Sequence, residues 1–313
     1  MFCLSCRNHI PNTEKSTLIS FSGTELIDFC VNCNFGVTKI ESEESSLGFR
    51  RFGFTIELLM TMFRFWRATS ISIRHRLRRG LSVLDYGCGR GDFLNYMRFF
   101  GWNVIGTENS CISAADARKR KIPILLHGEI GDSFQGKGSF SSFDLITSYH
   151  SLEHLPDPVK FLAQCKQSLK KFGTLVVEVP NIDSWQYKIS GENWILLDVE
   201  NHKFHFSVKS LHHLLHKSGF KVKKISTFSM NYGIIGMADG IRCWILRLIS
   251  VRRRLSPRKI AQKSLLPSPF WIFLLLPVAL FVEIFGSIFK RGSVIRIYAC
   301  GSSDEINNTR LRL

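Results

Sequence analysis

The sequence predicts an α/β fold: a parallel sheet with helices on both of its faces. Three observations predict it. Strand and helix signals alternate from residue 82 to residue 179, the pattern of consecutive β-α-β units. An apolar run through Val83 and Leu84 ends at Asp85 and breaks into D-Y-G-C-G-R-G, with Gly87, Gly89 and Gly91 turning the chain into a helical pattern. Asp85, Glu108, Glu129 and His150 all fall just beyond the carboxyl ends of predicted strands, where open parallel sheets hold their ligands.

A chain of 313 residues has room for one full α/β domain with appendages. Its 42 Lys+Arg against 25 Asp+Glu give a net charge of +17, which favours an anionic partner: nucleic acid, a phosphorylated substrate or acidic lipid. Nine cysteines include two CxxC pairs, and the opening MFCLSCRNHIPN has no signal-peptide pattern. A reducing cytoplasm with metal-bound thiolates is therefore expected in place of a disulfide framework.

Residues 1–40 read as a zinc-ribbon-like module. Cys3 and Cys6 are separated by 23 residues from Cys30 and Cys33, and two such knuckles can set four thiolates tetrahedrally around one Zn²⁺. The competing readings are a redox pair or uncoordinated thiols. In so short a segment the metal would supply much of the folding free energy, on the order of 10 kcal/mol, so its role is structural. Residues 41–80 follow as an acidic linker (ESEESS) and a basic helix. Ile56, Leu59, Met60, Phe63 and Trp66 keep helical spacing, and eight basic residues lie between Arg50 and Arg79 against the single acid Glu57; the pattern predicts a helix with one packed face and one solvated face.

Residues 81–228 form the core, with strands expected near 82–86, 102–107, 122–127, 143–149, 173–179 and 220–228. Helices fit after Ser110, over 159–169, and from Ser207, a cap residue, to the stop at Gly219. In the glycine loop, the position that carries the third glycine of a dinucleotide fingerprint is Asp92. Spacing and charge both argue against a pyrophosphate there. They suit a cofactor that brings an amino group and an adenosine but no phosphate.

S-adenosylmethionine (SAM) is such a cofactor, and DYGCGRG resembles the first motif of class I SAM-dependent methyltransferases. WNVIGTE, ending at Glu108, and FDLITSYHSLEHLPDP, 143–158, resemble the second and fourth strands of that family. The resemblance covers roughly 82–222 plus a last strand near Val294. It implies a Rossmann-like sheet of seven strands, with Asp85 near the methionine part of SAM, Gly87, Gly89 and Gly91 forming the loop, and Glu108 on the ribose hydroxyls. It also implies that 127–130, including Glu129, approach the adenine, that a helix before the first strand covers the site, and that the last two strands pair antiparallel.

Methyl transfer needs in-line positioning of the acceptor and, for an oxygen acceptor, removal of a proton. His150 and His154 follow the fourth strand and His202 lies in ENHKFHFS, the part that usually forms the acceptor pocket; these three are the candidate catalytic residues. His205 is expected to pack with Phe204 and Phe206. HSLEH matches an inverted zinc-protease motif, but that motif belongs inside a helix, and Pro156 and Pro158 make this a strand-to-loop segment. Ubiquinone-pathway O-methyltransferases have a similar loop with glutamate in place of His150 and can hold a divalent cation there; the histidine argues against a cation here.

Residues 229–292 form an insertion before the last strand, which occupies 293–313 with the tail. Within it 270–289 is 20 residues long with one charge, Glu283, and 241–263 carries eight basic residues and no acid. Both flanks of the apolar run must lie on one side of a membrane for the sheet to close. Pro277, Gly286 and Glu283 favour a helix-break-helix wedge or an interfacial helix over a crossing, with the basic part on anionic cytoplasmic lipid. A buried core or dimer helix is the competing reading. The expected function is methylation of a small-molecule or lipid-linked acceptor (a sugar, a quinone precursor or similar) by a cytoplasmic protein at the membrane face. RNA methylation, suggested by the zinc module and the charge, and an inactive scaffold are the alternatives.

Overall fold

The computed structural model describes residues 3–5, 20–21, 24–25, 27–30, 32–38, 54–125, 142–253 and 269–301. In chain order the strands are β1 (Ser20–Phe21), β2 (Thr24–Glu25), β3 (Ile27–Phe29), β4 (Gly36–Thr38), β5 (Ser82–Tyr86), β6 (Asn103–Thr107), β7 (Ile124–Leu125), β8 (Phe143–Tyr149), β9 (Leu169–Pro180), β10 (Phe204–His205), β11 (Phe220–Ser226) and β12 (Val294–Gly301). The α-helices are α1 (Phe54–Arg74), α2 (Asp92–Phe99), α3 (Cys111–Lys119), α4 (Pro158–Ser168), α5 (Trp185–Ser190), α6 (Val208–Lys217), α7 (Gly236–Arg253) and α8 (Pro269–Ile288). The chain packs as two units: Met1–Glu43 with Pro180–Ser210 and Ser226–Ile295, and Glu44–Val179 with Leu211–Ile225 and Arg296–Leu313. The segments 1–40 and 229–292 thus fall in the same unit.

The seven-stranded sheet has the order β11-β12-β9-β8-β5-β6-β7, and the pairs from β9 to β7 are all parallel. Val83, Leu84, Leu145, Ile146 and Val176 are buried, as expected of central strands covered on both faces. From β5 the chain runs outward through β6 to β7 and then returns to place β8 on the other side of β5. That reversal lies at the carboxyl ends of β5 and β8, near Asp85 and Tyr149, the place where such sheets bind ligands. Helix α4 starts at Pro158 with the Asp157 side chain accepting from the Lys160 N–H at 2.9 Å, and α6 starts with the Ser210 N–H donating to the Ser207 hydroxyl at 3.0 Å.

Two expectations fail in detail. Trp66, placed by its spacing on the packed face of α1, is 56% exposed, whereas Ala68 and Ile71 are buried; the apolar pattern of α1 is wide enough to hold more than one stripe. The expected break at Pro277 does not occur, because α8 runs through it.

In the other unit β3, β4 and β10 form an antiparallel sheet of order β10-β4-β3, with Phe204 opposite Val37 and His205 opposite Gly36. Ile27, Phe29, Ile182, Trp194, Leu196 and Val294 make its core. Below it α5, a π-helical turn at Met230–Ile235, α7 and α8 enclose Ile234, Met237, Ala238 and Ala279. Glu283 is buried here and accepts from the N–H of Ser229 at 3.1 Å and the hydroxyl of Ser293 at 2.9 Å. Burial pushes its carboxyl above the usual range, against those hydrogen bonds. Among the described residues no helix is long and apolar enough to cross a membrane.

Candidate cofactor site

Asp85 is the penultimate residue of β5 and lies opposite Thr147 of β8. Its carboxylate is 4% exposed and accepts from the Thr147 hydroxyl at 2.6 Å. Burial pushes its pKa up to about 7, against the Thr147 hydrogen bond and the Arg67 charge, with the Glu108 charge adding to the rise. An opposite charge beside a buried acid in this condition would favour its ionised form.

The loop that follows has φ +70° at Gly87, +56° at Gly89 and +75° at Gly91, the left-handed region that side chains with a Cβ resist. A Cβ on Gly87 would overlap the Ser151 hydroxyl, and one on Gly91 would stand 3.1 Å from the Ala117 Cβ, so both are held by the fold. A Cβ on Gly89 would meet nothing within 4 Å; there the backbone faces open space that a ligand can enter. Glu108, just past the end of the adjacent strand β6, is fixed by this same backbone. Its Oε2 accepts from the Gly89 N–H at 2.7 Å and its Oε1 from the Ser110 N–H at 2.8 Å. Each carboxylate oxygen keeps a second lone pair for a ligand hydroxyl.

Asp92 opens α2 but is not a bare negative charge. Arg64 and Arg120 lie 3.2 Å from its oxygens and Arg90 lies at 3.6 Å. The repulsion argument against a pyrophosphate therefore loses its force, and the glycine spacing is left to carry it.

His150 follows β8 with φ +51°, the left-handed region, uncommon for residues other than glycine though histidine is among the more tolerant. Its N–H donates to the Glu178 carbonyl at 2.8 Å, and its ring stands between two buried carboxylates. Nδ1 is 3.4 Å from Glu153 and Nε2 is 3.4 Å from Glu178. Glu178, opposite Tyr149 in the sheet, also pairs with Arg67 at 2.9 Å and with Arg296. Burial alone would raise its carboxyl; Arg296 and Arg67, with His150, overcome that and hold it well below the usual range. The Arg67 guanidinium lies 3.9 Å over the Tyr149 ring. Arg67, Glu178 and Arg296 are the site residues that the sequence reading missed. Their signal was a lone charge inside an apolar run, in LVVEVP and in VIRIYA.

The unit containing the seven-stranded sheet therefore gathers Asp85, Gly87, Gly89, Gly91, Glu108 and His150, with half-buried His154 ending the short 3₁₀ turn after His150. His202 belongs to the other unit, where its N–H donates to the Asp198 carbonyl at 2.7 Å and its own carbonyl accepts from Thr38. His205 is buried there beside Thr38, its pKa pushed down to about 4 by burial, and Phe35 stacks on Phe204 at 5.5 Å. Glu129 and Cys6 lie outside the described residues. Cys3, Cys30 and Cys33 are each no more than 2% exposed, and their sulfurs all lie within 4.8 Å of one another, Cys3 and Cys33 at 3.6 Å. Tetrahedral thiolates with metal bonds of about 2.3 Å stand about 3.8 Å apart, so the three fit a common metal ion.

A sequence profile of the methyltransferase domain matches residues 59–225. The chain is similar to the ubiquinone biosynthesis O-methyltransferase of Pasteurella multocida, at 32% identity over 131 residues, 37% of this chain and 54% of that protein. It is similar also to that of Cereibacter sphaeroides, at 31% over 130 residues, 38% and 49%. The chain spans about half the length of the curated relatives it matches. A solved SAM-dependent methyltransferase from Archaeoglobus fulgidus aligns at TM-score 0.47 and 20% identity, over 78% of this chain and 98% of that one.

Proposed function

Since the chain belongs to the SAM-dependent methyltransferase domain family, whose profile spans just over half of it, we propose that it transfers a methyl group from SAM to a small-molecule or lipid-linked acceptor. One observation carries the reading: the buried Asp85, the open backbone at Gly89 and the loop-anchored Glu108 converge at the sheet's reversal point. When bound, SAM supplies an electrophilic methyl group. In this reading Asp85 pairs with its ammonium, Glu108 accepts from its ribose hydroxyls, and the Gly87 to Gly91 turn gives its backbone room. His150 takes the proton of the acceptor hydroxyl at a ring nitrogen released from its carboxylate, Glu153 or Glu178, while the other carboxylate holds the ring. His154 is the second candidate for acceptor contact in the unit of the seven-stranded sheet, and His202 stays a candidate on the sequence reading alone. The O-methyltransferase relatives support a small molecule with a hydroxyl oxygen. The apolar and basic insertion supports acceptor capture at the cytoplasmic face of a membrane. Incubation with radiolabelled SAM and a fractionated cell extract is expected to put label into the lipid or small-molecule fraction; label in RNA, or in no fraction, overturns the reading.

The N-terminal thiols are proposed to hold one structural Zn²⁺, with Cys6 as the fourth ligand beside Cys3, Cys30 and Cys33. The spacing of the two CxxC pairs and the three converging sulfurs support it. Protein purified without chelator in reducing buffer is expected to carry one equivalent of zinc by elemental analysis, and to lose it in the Cys30→Ser variant. Less than half an equivalent of any transition metal in the wild-type protein rejects the site.

A further inference from the structure

Helix α1 carries a second apolar face that the fold leaves uncovered. Ala68 and Ile71 turn to the core with Phe93, Leu94 and Met97, while Met62, Trp66 and Ile73 are 56 to 59% exposed. Steps of four and seven residues bring those three to one side of the helix, over about 16 Å at 1.5 Å per residue. Phe65 carries the patch onto α2. Its ring meets Tyr96 edge-on at 5.3 Å and Phe100 at 5.9 Å, and Phe100 meets Phe99 at 5.4 Å, where Phe99 is 76% exposed. Large apolar side chains gathered in this way on a surface mark a docking site.

The turn that ends α1 sets arginines against the same patch. The Arg76 N–H donates to the Ile73 carbonyl at 2.8 Å and the Arg78 N–H to the His75 carbonyl at 3.2 Å, so both follow Ile73 within one turn, with Leu77 between them 57% exposed. The Arg79 stem lies against Gly101, two residues past Phe99: a Cβ there would stand 2.8 Å from the Arg79 Cγ. Arg76, Arg78, Arg79 and, on α2, Arg98 are all exposed, and residues 60–79 and 95–100 contain no acid. Asp92, at the start of α2, and Asp144, which acts on His75, are held by other cations: Asp92 by Arg64, Arg90 and Arg120, and Asp144 by Lys170 at 2.7 Å. A second copy of this surface would bring the same arginines and no acid to meet them. A nucleic-acid backbone would meet the arginines but leave Met62, Ile73 and Leu77 in water, since aliphatic side chains give a base no ring to stack on. An anionic lipid surface meets both, with headgroups for the arginines and the acyl boundary for the apolar side chains. We propose that α1 lies along an anionic lipid surface, with Met62, Trp66 and Ile73 in its outer acyl layer and Arg76, Arg78 and Arg79 on its headgroups. This rests on the membrane part of the proposed function and assigns it to the unit that holds the cofactor site.

The test is flotation of the full-length protein with vesicles of phosphatidylcholine alone or mixed with phosphatidylglycerol. The wild-type protein is expected to partition at least about tenfold more strongly onto the anionic vesicles and to lose that preference between about 0.05 and 0.5 M salt. Two variants, Trp66→Ser with Ile73→Ser, and Arg76→Gln with Arg78→Gln and Arg79→Gln, are each expected to reduce the partition at least about tenfold. Circular dichroism and cooperative melting should stay as in wild type, because every replaced side chain is exposed. If the first variant fails to fold, the arginine variant and lipid quenching decide: brominated acyl chains should quench the wild-type tryptophan emission more than that of Trp66→Phe. No flotation of the wild-type protein, flotation of either folded variant equal to wild type, a wild-type dimer that the Trp66→Ser variant converts to monomer, or binding of single-stranded RNA in preference to the anionic vesicles overturns the proposal. Wild-type protein that floats as expected but binds no SAM instead overturns the methyltransferase reading and leaves the lipid surface standing.

Discussion

Gly87→Val and Asp85→Ala are each expected to weaken SAM binding at least about a hundredfold in calorimetry, the cost of removing one partner from a buried charge pair being roughly 3 to 5 kcal/mol. The two act differently. Valine at Gly87 must adopt φ +70° and its Cβ would overlap the Ser151 hydroxyl, so the turn shifts and takes the Gly89 backbone with it. Alanine at Asp85 leaves the loop in place and removes the anion. The wild-type protein provides an internal control through pH. Because burial holds Asp85 with a pKa of about 7, the ionised form that pairs with an ammonium is the minor one at pH 6 and the major one at pH 8. Affinity should therefore rise between those values by at most about tenfold, with proton release at the lower pH, the rise being trimmed toward pH 8 as the ammonium, an α-amino group, begins to lose its own proton. In Asp85→Ala that rise should vanish. Tight, pH-independent binding that survives both substitutions would remove SAM from this site.

The parts of the fold that were legible in the sequence are those encoded by neighbours. The glycine loop follows from three residues at alternate positions, and β5, β6 and β8 follow from short apolar runs that end in polar residues. The Ser207 and Gly219 signals mark α6 because caps are local chemistry. What was not legible joins distant residues. The ionic cluster takes Arg67, His150 with Glu153, Glu178 and Arg296 from four separate segments, and none of those segments reveals the others. The pairing of β4 with β10 joins Val37 to Phe204, and nothing in either short strand specifies it. Pro277 misled for a different reason: proline weakens a helix at one hydrogen bond, but the packing of Leu275, Leu276 and Leu280 on either side of it keeps the helix whole. Asp92 misled because its charge was counted without the arginines that surround it.

His150 is where the unanticipated cluster meets the expected chemistry. As the general base it should account for about 10² to 10⁴ of the rate with an oxygen acceptor. A test by alanine alone would mix two effects, since His150 holds φ +51° and alanine tolerates that region poorly. Asparagine tolerates it well, so His150→Asn keeps the turn and the N–H bond to the Glu178 carbonyl while removing the imidazole. Turnover by His150→Asn is expected to fall at least about a hundredfold, with SAM affinity within threefold of wild type because Asp85, Gly89 and Glu108 are untouched. His150→Ala should match it in turnover and lose thermal stability besides. The imidazole stands between Glu153 and Glu178, each 3.4 Å away, and Glu178 is itself held ionised by Arg67 and Arg296. Each ring nitrogen thus faces a carboxylate, whereas a catalytic triad leaves one nitrogen to the substrate, so the base role requires the acceptor hydroxyl to take the place of one of these contacts. Turnover unchanged in His150→Asn would return the whole cluster to a packing role and move the search for the base to His154.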